Sequence, residues 1–261
     1  MNIILLSFLA GVIGMGLGGV ITAIFGSRTE KMISIFLSLA GGVMVSIVLL
    51  ELVPEAVEYS NVGVAVIGLA LGALMVLILN GIVDKVTNSK DAKTETKLHD
   101  TYTEFFHADG MVRSKKGLIR SGMIMVFAIA LHNIPEGLAL GAAGYHDAAL
   151  GLTLTIMIAL HNIPEGMAIS APLVSGGLSK IKTLAIVMLT GATTVLGAVA
   201  GVFIGGISDF ALALSFAMAG GAMLYVVFGE ILPQSIVTNK DRVPTIFALV
   251  GIILGLLFTQ I

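Results

Sequence analysis

Ile129-Ala130-Leu131-His132-Asn133-Ile134-Pro135-Glu136-Gly137 recurs unchanged as Ile158-Ala159-Leu160-His161-Asn162-Ile163-Pro164-Glu165-Gly166. Nine identical residues in one chain mark a duplication rather than a coincidence. Each copy lies inside an apolar run, at 118–142 and 148–172. Each run exceeds the roughly 20 residues with which a helix crosses about 30 Å of hydrocarbon. What the duplication means depends on how the two runs are oriented, and the rest of the chain decides that.

Working outward, six further runs qualify as membrane spans, at 3–24, 32–53, 62–83, 181–205, 210–232 and 243–260. With the central two they make helices 1 to 8 in chain order. The chain is 57% hydrophobic and 11% charged, against about 25% charged in an average soluble domain, and its mean hydropathy is +1.04. It therefore reads as an all-α, polytopic membrane protein with the lipid bilayer as its solvent. The first run lacks the Lys or Arg of a signal-peptide n-region and outlasts such a peptide's apolar core, so it is expected to be a mature helix. The chain has no Cys, which excludes disulfides and thiolate metal sites. Nothing in the composition supports nucleic-acid binding.

All 14 Lys and Arg fall on one side of this topology. Arg28 and Lys31 lie between helices 1 and 2. Lys85, Lys90, Lys93, Lys97, Arg113, Lys115, Lys116 and Arg120 lie between helices 3 and 4. Lys180 and Lys182 precede helix 6, and Lys240 and Arg242 precede helix 8. By the positive-inside rule that side is the cytoplasm, which places both termini outside a plasma (inner) membrane. The one long polar stretch, 84–117, cannot bury a core and is expected to be a flexible cytoplasmic loop. Within it His99 and His107 are either a weak metal-sensing cluster with Asp100, Glu104 and Asp109 or, more simply, solvated side chains.

Helix 4 then runs outward and helix 5 inward, so the duplicated unit is inverted. A second repeat pairs Ala40-Gly41-Gly42-Val43-Met44, Glu51 and Pro54 with Ala219-Gly220-Gly221-Ala222-Met223, Glu230 and Pro233 at one constant offset. It joins helices 2 and 7, which are also opposed. The expected architecture is one transmembrane domain over 1–261, with helices 1–3 and 6–8 related by a pseudo-two-fold axis and helices 4 and 5 exchanged across it, a 3+2+3 inverted repeat. Secondary transporters use this plan and bind substrate near the midplane.

His132, Asn133 and Glu136 fall about halfway along helix 4, and His161, Asn162 and Glu165 halfway along helix 5. Positions i and i+4 share a helix face, so each His stands over its Glu with Asn at the edge. Two such faces turned together gather two imidazoles and two carboxylates. Ionisable groups at this depth are costly, and no Lys or Arg in the apolar cores can offset Glu136 or Glu165. A divalent cation does so, with two carboxylates cancelling its charge and two neutral imidazoles completing a four-donor shell of the zinc type. Pro135 and Pro164 leave the carbonyls of Leu131 and Leu160 without their usual donors, and Gly137 and Gly166 allow close helix approach. Glu51 and Glu230, toward the outer and inner ends of their helices, are candidate way stations for a cation or else carboxylates reaching interfacial water. Glu55 and Glu58 follow in the outer loop, either drawing cations there or forming an ordinary solvated face. Met44 and Met223 read as packing.

The doubled His-Asn-Ile-Pro-Glu-Gly resembles the signature of the ZIP (Zrt-, Irt-like) metal-ion transporters, most of all their bacterial zinc-uptake members, and the resemblance covers the whole chain. It implies uptake of Zn(II) and related ions such as Fe(II), Mn(II), Co(II) or Cd(II) as transported substrates rather than cofactors. The implied site is His132, Asn133, Glu136, His161, Asn162 and Glu165. The resemblance also implies a homodimer and an elevator-like movement of helices 1, 4, 5 and 6 against the others. One departure stands out: where many members carry Glu-Pro in helix 6, this chain has Thr194-Val195 before Leu196-Gly197-Ala198. The carboxylate that helps form a second adjacent metal site is missing, and Thr194 offers at most a hydroxyl. Two other classes compete. A sodium/calcium-type exchanger also uses inverted repeats, but Ca²⁺ selects oxygen donors rather than His. An intramembrane zinc protease is expected to show His-Glu-x-x-His, and no such motif with a free general base is present.

Overall fold

The computed structural model describes residues 2–25, 29–88, 115–146, 148–204 and 208–258. His99, His107 and most of the expected loop lie outside these residues. The described chain is helical almost throughout, as the bilayer requires: with no water to satisfy peptide groups, each segment must close its hydrogen bonds internally. In chain order the helices are α1, Ile3–Phe25; α2, made of Glu30–Ile47, Val48–Leu52 and Val53–Tyr59; α3, Val62–Asn88; α4, Lys115–His146; α5, Ala148–Ser175; α6, Lys180–Ile204; α7, Asp209–Thr238; and α8, Val243–Phe258. Six of them, α1, α2 and α4 to α7, contain spans long and apolar enough to cross a membrane, while α3 and α8 contribute the shorter apolar stretches Val62–Ile78 and Val243–Leu257. Polar caps start several of them. Asn2 Oδ1 accepts from the N–H groups of Ile4 and Leu5, Thr29 Oγ1 from Met32, and Ser208 Oγ from Ala211, each satisfying donors that a first turn leaves orphaned.

Three helices are interrupted by a π-helical turn: Leu9–Ile13 in α1, Val48–Leu52 in α2 and Val227–Ile231 in α7. The last two stand at the same offset as the Ala-Gly-Gly repeat. Each holds the repeat's glutamate, Glu51 or Glu230, and each is followed by its proline, Pro54 or Pro233, in the first turn of the next segment. Proline carries no N–H, and in each case the residue before it donates across the wider turn, Val53 to the Val48 carbonyl and Leu232 to the Val227 carbonyl. The helix therefore bulges without stopping, and α2 runs on to Tyr59, past the end at 53 expected from hydropathy.

The packing partners fall into matched couples. α4 lies against α6 as α5 lies against α1; α2 against α8 as α7 against α3; α4 against α7 as α2 against α5. Glycines set the first two couples close. A side chain at Gly137 of α4 would meet the Thr194 carbonyl of α6, and one at Gly166 of α5 the Met15 carbonyl of α1. Gly42 and Gly251 play this part between α2 and α8, and Gly72 and Gly221 between α3 and α7. Outside, large apolar side chains such as Ile67, Leu189, Phe203 and Ile253 are exposed, the surface expected where the solvent is lipid.

Candidate metal site

α4 ends at His146, α5 begins at Ala148, and the two helices pack antiparallel. In that antiparallel pair His132 comes level with Glu165, and Glu136 with His161. The side chains couple accordingly. His132 Nε2 lies 3.1 Å from Glu165 Oε1, and His161 Nε2 forms a short contact with Glu136 Oε1. All four side chains are at most 2% exposed. Sequence spacing puts each His over the Glu of its own helix; the structure joins each His to the Glu of the other. Among the described residues no three His, Asp or Glu side chains close into one cage. The expected four-donor shell is therefore two imidazole–carboxylate couples side by side.

Each asparagine spends its amide nitrogen on a neighbouring helix. Asn162 Nδ2 donates to the Ala10 carbonyl, 3.0 Å away in the π turn of α1. Asn133 Nδ2 donates to the Thr190 carbonyl of α6 at 3.4 Å and lies 3.5 Å from Met15 Sδ of α1. Both amide oxygens are left without a hydrogen bond. So are His132 Nδ1, His161 Nδ1, Glu136 Oε2 and Glu165 Oε2. A buried polar atom left unpaired costs about 1–3 kcal/mol, and these six all belong to the residues of the doubled motif. All six can present a lone pair, the ring nitrogens when Nε2 carries the proton, and what satisfies a set of lone pairs in a low dielectric is a cation.

The ZIP Zinc transporter family profile matches residues 1–261, the full chain. The chain belongs to the ZIP zinc transporter family. It is similar to the protein named zinc transporter ZupT of Akkermansia muciniphila, 34% identical over 270 residues covering 99% of this chain and 95% of the relative. The ZupT of Corynebacterium glutamicum is 31% identical over 96% of this chain and 94% of its own length, and that of Campylobacter jejuni 31% identical over 91% and 88%.

Three further side chains of this ZIP chain were candidates. Glu51 is half-buried in the π turn of α2 with Oε2 unpartnered. It lines a small cavity together with Glu136, His161, Ile47, Leu52 and Phe216. It thus faces the same space as one of the two couples. Glu230 is buried, and its Oε1 accepts from Asn80 Nδ2 of α3 at 3.0 Å; it does not line that cavity. Thr194 is fully buried beside Gly11 of α1, and its hydroxyl has no partner. Sequence reasoning did not pick out Met15 or the carbonyls of Ala10 and Thr190, since a backbone acceptor carries no residue signature. The π turns had one: a glutamate three residues before a proline, repeated in two opposed helices.

Proposed function

We propose that this ZIP chain moves divalent transition-metal ions, zinc first among them, across the plasma membrane into the cytoplasm by alternating access through His132, Asn133, Glu136, His161, Asn162 and Glu165. The observation that carries this reading is the set of six unpartnered lone-pair atoms around two buried imidazole–carboxylate couples. Two carboxylates neutralise a dication, and imidazole, carboxylate and amide oxygen are the donors that zinc and its neighbours accept. The names of the relatives point to zinc. Fe(II), Mn(II), Co(II) and Cd(II) fit the same donor types. The metal is substrate, not cofactor.

The matched packing couples support the eight-span, 3+2+3 reading of the single domain 1–261, and the one-sided distribution of Lys and Arg supports outward termini with 84–117 in the cytoplasm. The cavity that Glu51 shares with Glu136 and His161 supports an approach to that couple, and in alternating access the other couple opens in its turn. Exchanging the two sides moves the ion. The glycine contacts join α1 to α5 and α4 to α6 as one unit, and α2 to α8 and α3 to α7 as another, the division along which helices 1, 4, 5 and 6 shift together. The implied homodimer draws on the exposed apolar belt.

The test is uptake in proteoliposomes of defined orientation. His132→Ala and Glu165→Ala insert normally and abolish Zn(II) flux, and the unaltered chain moves Zn(II) in preference to Ca²⁺. Near-normal flux in either variant, or sodium-coupled calcium exchange, overturns the assignment.

A further inference from the structure

The offset that relates α2 to α7 also relates α1 to α6: Leu17-Gly18-Gly19-Val20 returns as Leu196-Gly197-Ala198-Val199. The packing repeats with it. A side chain at Gly18 would meet the Ile163 carbonyl of α5, and one at Gly197 the Ile134 carbonyl of α4, equivalent positions in the two motif helices. Met15 and Thr194 are therefore mirror mates, each with its carbonyl against the glycine that ends a motif copy, and both are fully buried. Ala10 and Thr190 become mates as well once the extra residue of the α1 π turn is allowed for. These are the carbonyls that receive Asn162 and Asn133.

The two asparagines are nonetheless held differently. At the π turn the Gly14 N–H turns to the carbonyls of Leu9 and Gly11 and passes over that of Ala10, which takes Asn162 Nδ2 at 3.0 Å. α6 has no such turn. There the Thr190 carbonyl serves its own helix ladder and the Thr193 hydroxyl at 2.6 Å, and Asn133 Nδ2 reaches it only at 3.4 Å. A carbonyl has two lone pairs, so Asn133 is a third claimant. What completes its anchorage is Met15 Sδ, 3.5 Å from Nδ2. On the Asn162 side the mate of Met15, the Thr194 hydroxyl, has no partner.

An amide has two ends of nearly one shape and opposite polarity: the oxygen accepts and the nitrogen donates. A thioether and a carbonyl only accept. Together they hold the nitrogen and leave Asn133 Oδ1, buried and unpartnered, for the site. A turned amide would set its oxygen against two acceptors and bring N–H groups to the place where a cation binds. Resting on the site proposed above, we propose that Met15 is a positioning residue: its thioether keeps the amide oxygen of Asn133 aimed at the ion, adding an oxygen donor to the imidazoles and carboxylates. Met15 acts through Asn133 and does not itself touch the metal. An oxygen donor favours Mn(II) relative to softer ions such as Cd(II), whereas direct contact with a thioether would favour the softer ones.

Met15→Leu keeps the volume and removes the acceptor, an exchange that packed cores tolerate. Metal-free protein in detergent micelles is titrated with Mn(II), Zn(II) and Cd(II) against a chromophoric chelator. The chains compared are the unaltered one, Met15→Leu, Asn133→Leu, Asn162→Leu, and each asparagine variant combined with Met15→Leu. Met15→Leu is expected to weaken Mn(II) binding about threefold, the worth of an average buried hydrogen bond inside a membrane protein, and Cd(II) binding by less. Asn133→Leu is expected to cost about threefold less in the Met15→Leu background than alone, while the cost of Asn162→Leu is the same in both. A larger loss for Cd(II) than for Mn(II) makes the thioether a ligand and overturns the proposal. So does an Asn133→Leu cost that Met15→Leu leaves unchanged, or an equal weakening of all three ions, which is what mere packing gives. Failure of the site reading looks different: the unaltered chain binds none of the three ions, or both asparagine variants leave every affinity as it was, and the proposal falls with it.

Discussion

If His132 and Glu165 form one couple and His161 and Glu136 the other, energetic coupling must run between α4 and α5, not along either helix. A double-mutant cycle separates the two. His132→Ala, Glu165→Ala and the double variant are compared with His132→Ala, Glu136→Ala and their double variant, all in metal-free buffer. Across the helices the partners are 3.1 Å apart and wholly buried. A hydrogen bond to a charged group contributes about 1.5–3 kcal/mol in water-soluble proteins. Cycles inside a membrane protein average only about 0.6 kcal/mol and reach about 1.7, because the unfolded chain in lipid also finds partners. The membrane limit governs here, and full burial with an ionisable acceptor places the pair at its upper end, so the expected coupling is about 1.5 kcal/mol. Along one helix, an i,i+4 pair is worth about 0.2–0.5 kcal/mol. Unfolding by SDS in mixed micelles, followed by circular dichroism because the chain has no Trp, gives each stability. A same-helix coupling equal to or larger than the cross-helix one refutes the crossed pairing.

Other substitutions probe the surroundings of these pairs. Gly137→Ala and Gly166→Ala press a methyl against the Thr194 and Met15 carbonyls and are expected to destabilise by about 1–3 kcal/mol each; Gly81→Ala, whose Cβ meets nothing within 4 Å, serves as the neutral control in the same SDS titration. Asn133→Leu and Asn162→Leu remove both the amide oxygens and their ties to α6 and α1, and a Zn(II) titration should show affinity reduced by about 10–100-fold, the range typical for groups that support a metal site. Pro54→Ala gives α2 back an N–H donor at its π turn; the thermal midpoint is expected to rise while Zn(II) flux falls, as Glu51 rotates away from the cavity it shares with Glu136 and His161.

Much of this was legible in the sequence because membrane helices obey few rules. Length and hydropathy located the helices, and the doubled nonapeptide identified the residues that the structure buries together. The pairing was not legible from spacing alone. An i,i+4 pattern reports which side chains share a face, not which partner is nearer once a second helix lies antiparallel. The rule that puts His132 over Glu136 also puts it level with Glu165. The π turns escaped because periodicity averages over turns and cannot register one residue of extra backbone. Glu51 was placed toward the outer mouth by counting residues along a straight helix; the π turn it stands in, and the cavity it lines with His161, could not be read from that count.

The bulges and the crossed pairs are linked by the repeat. Under the proposed alternating access, an inverted duplication delivers each chemical group twice, facing opposite sides of the membrane, and a mobile ion is released by one set as it is accepted by the other. Crossed pairing serves this, since each imidazole–carboxylate couple draws on both central helices and neither helix can move without disturbing both couples. The π turns put one further carboxylate within each half, Glu51 lining a cavity with His161 and Glu136, and Glu230 held by Asn80. Perfect symmetry in such a device would make the two faces equal in energy. Direction then has to come from the places where the copies diverge, and one of these lies not among the ligating residues, which are identical, but in the frame around them: Glu230 is bonded to Asn80 where Glu51 is half-open.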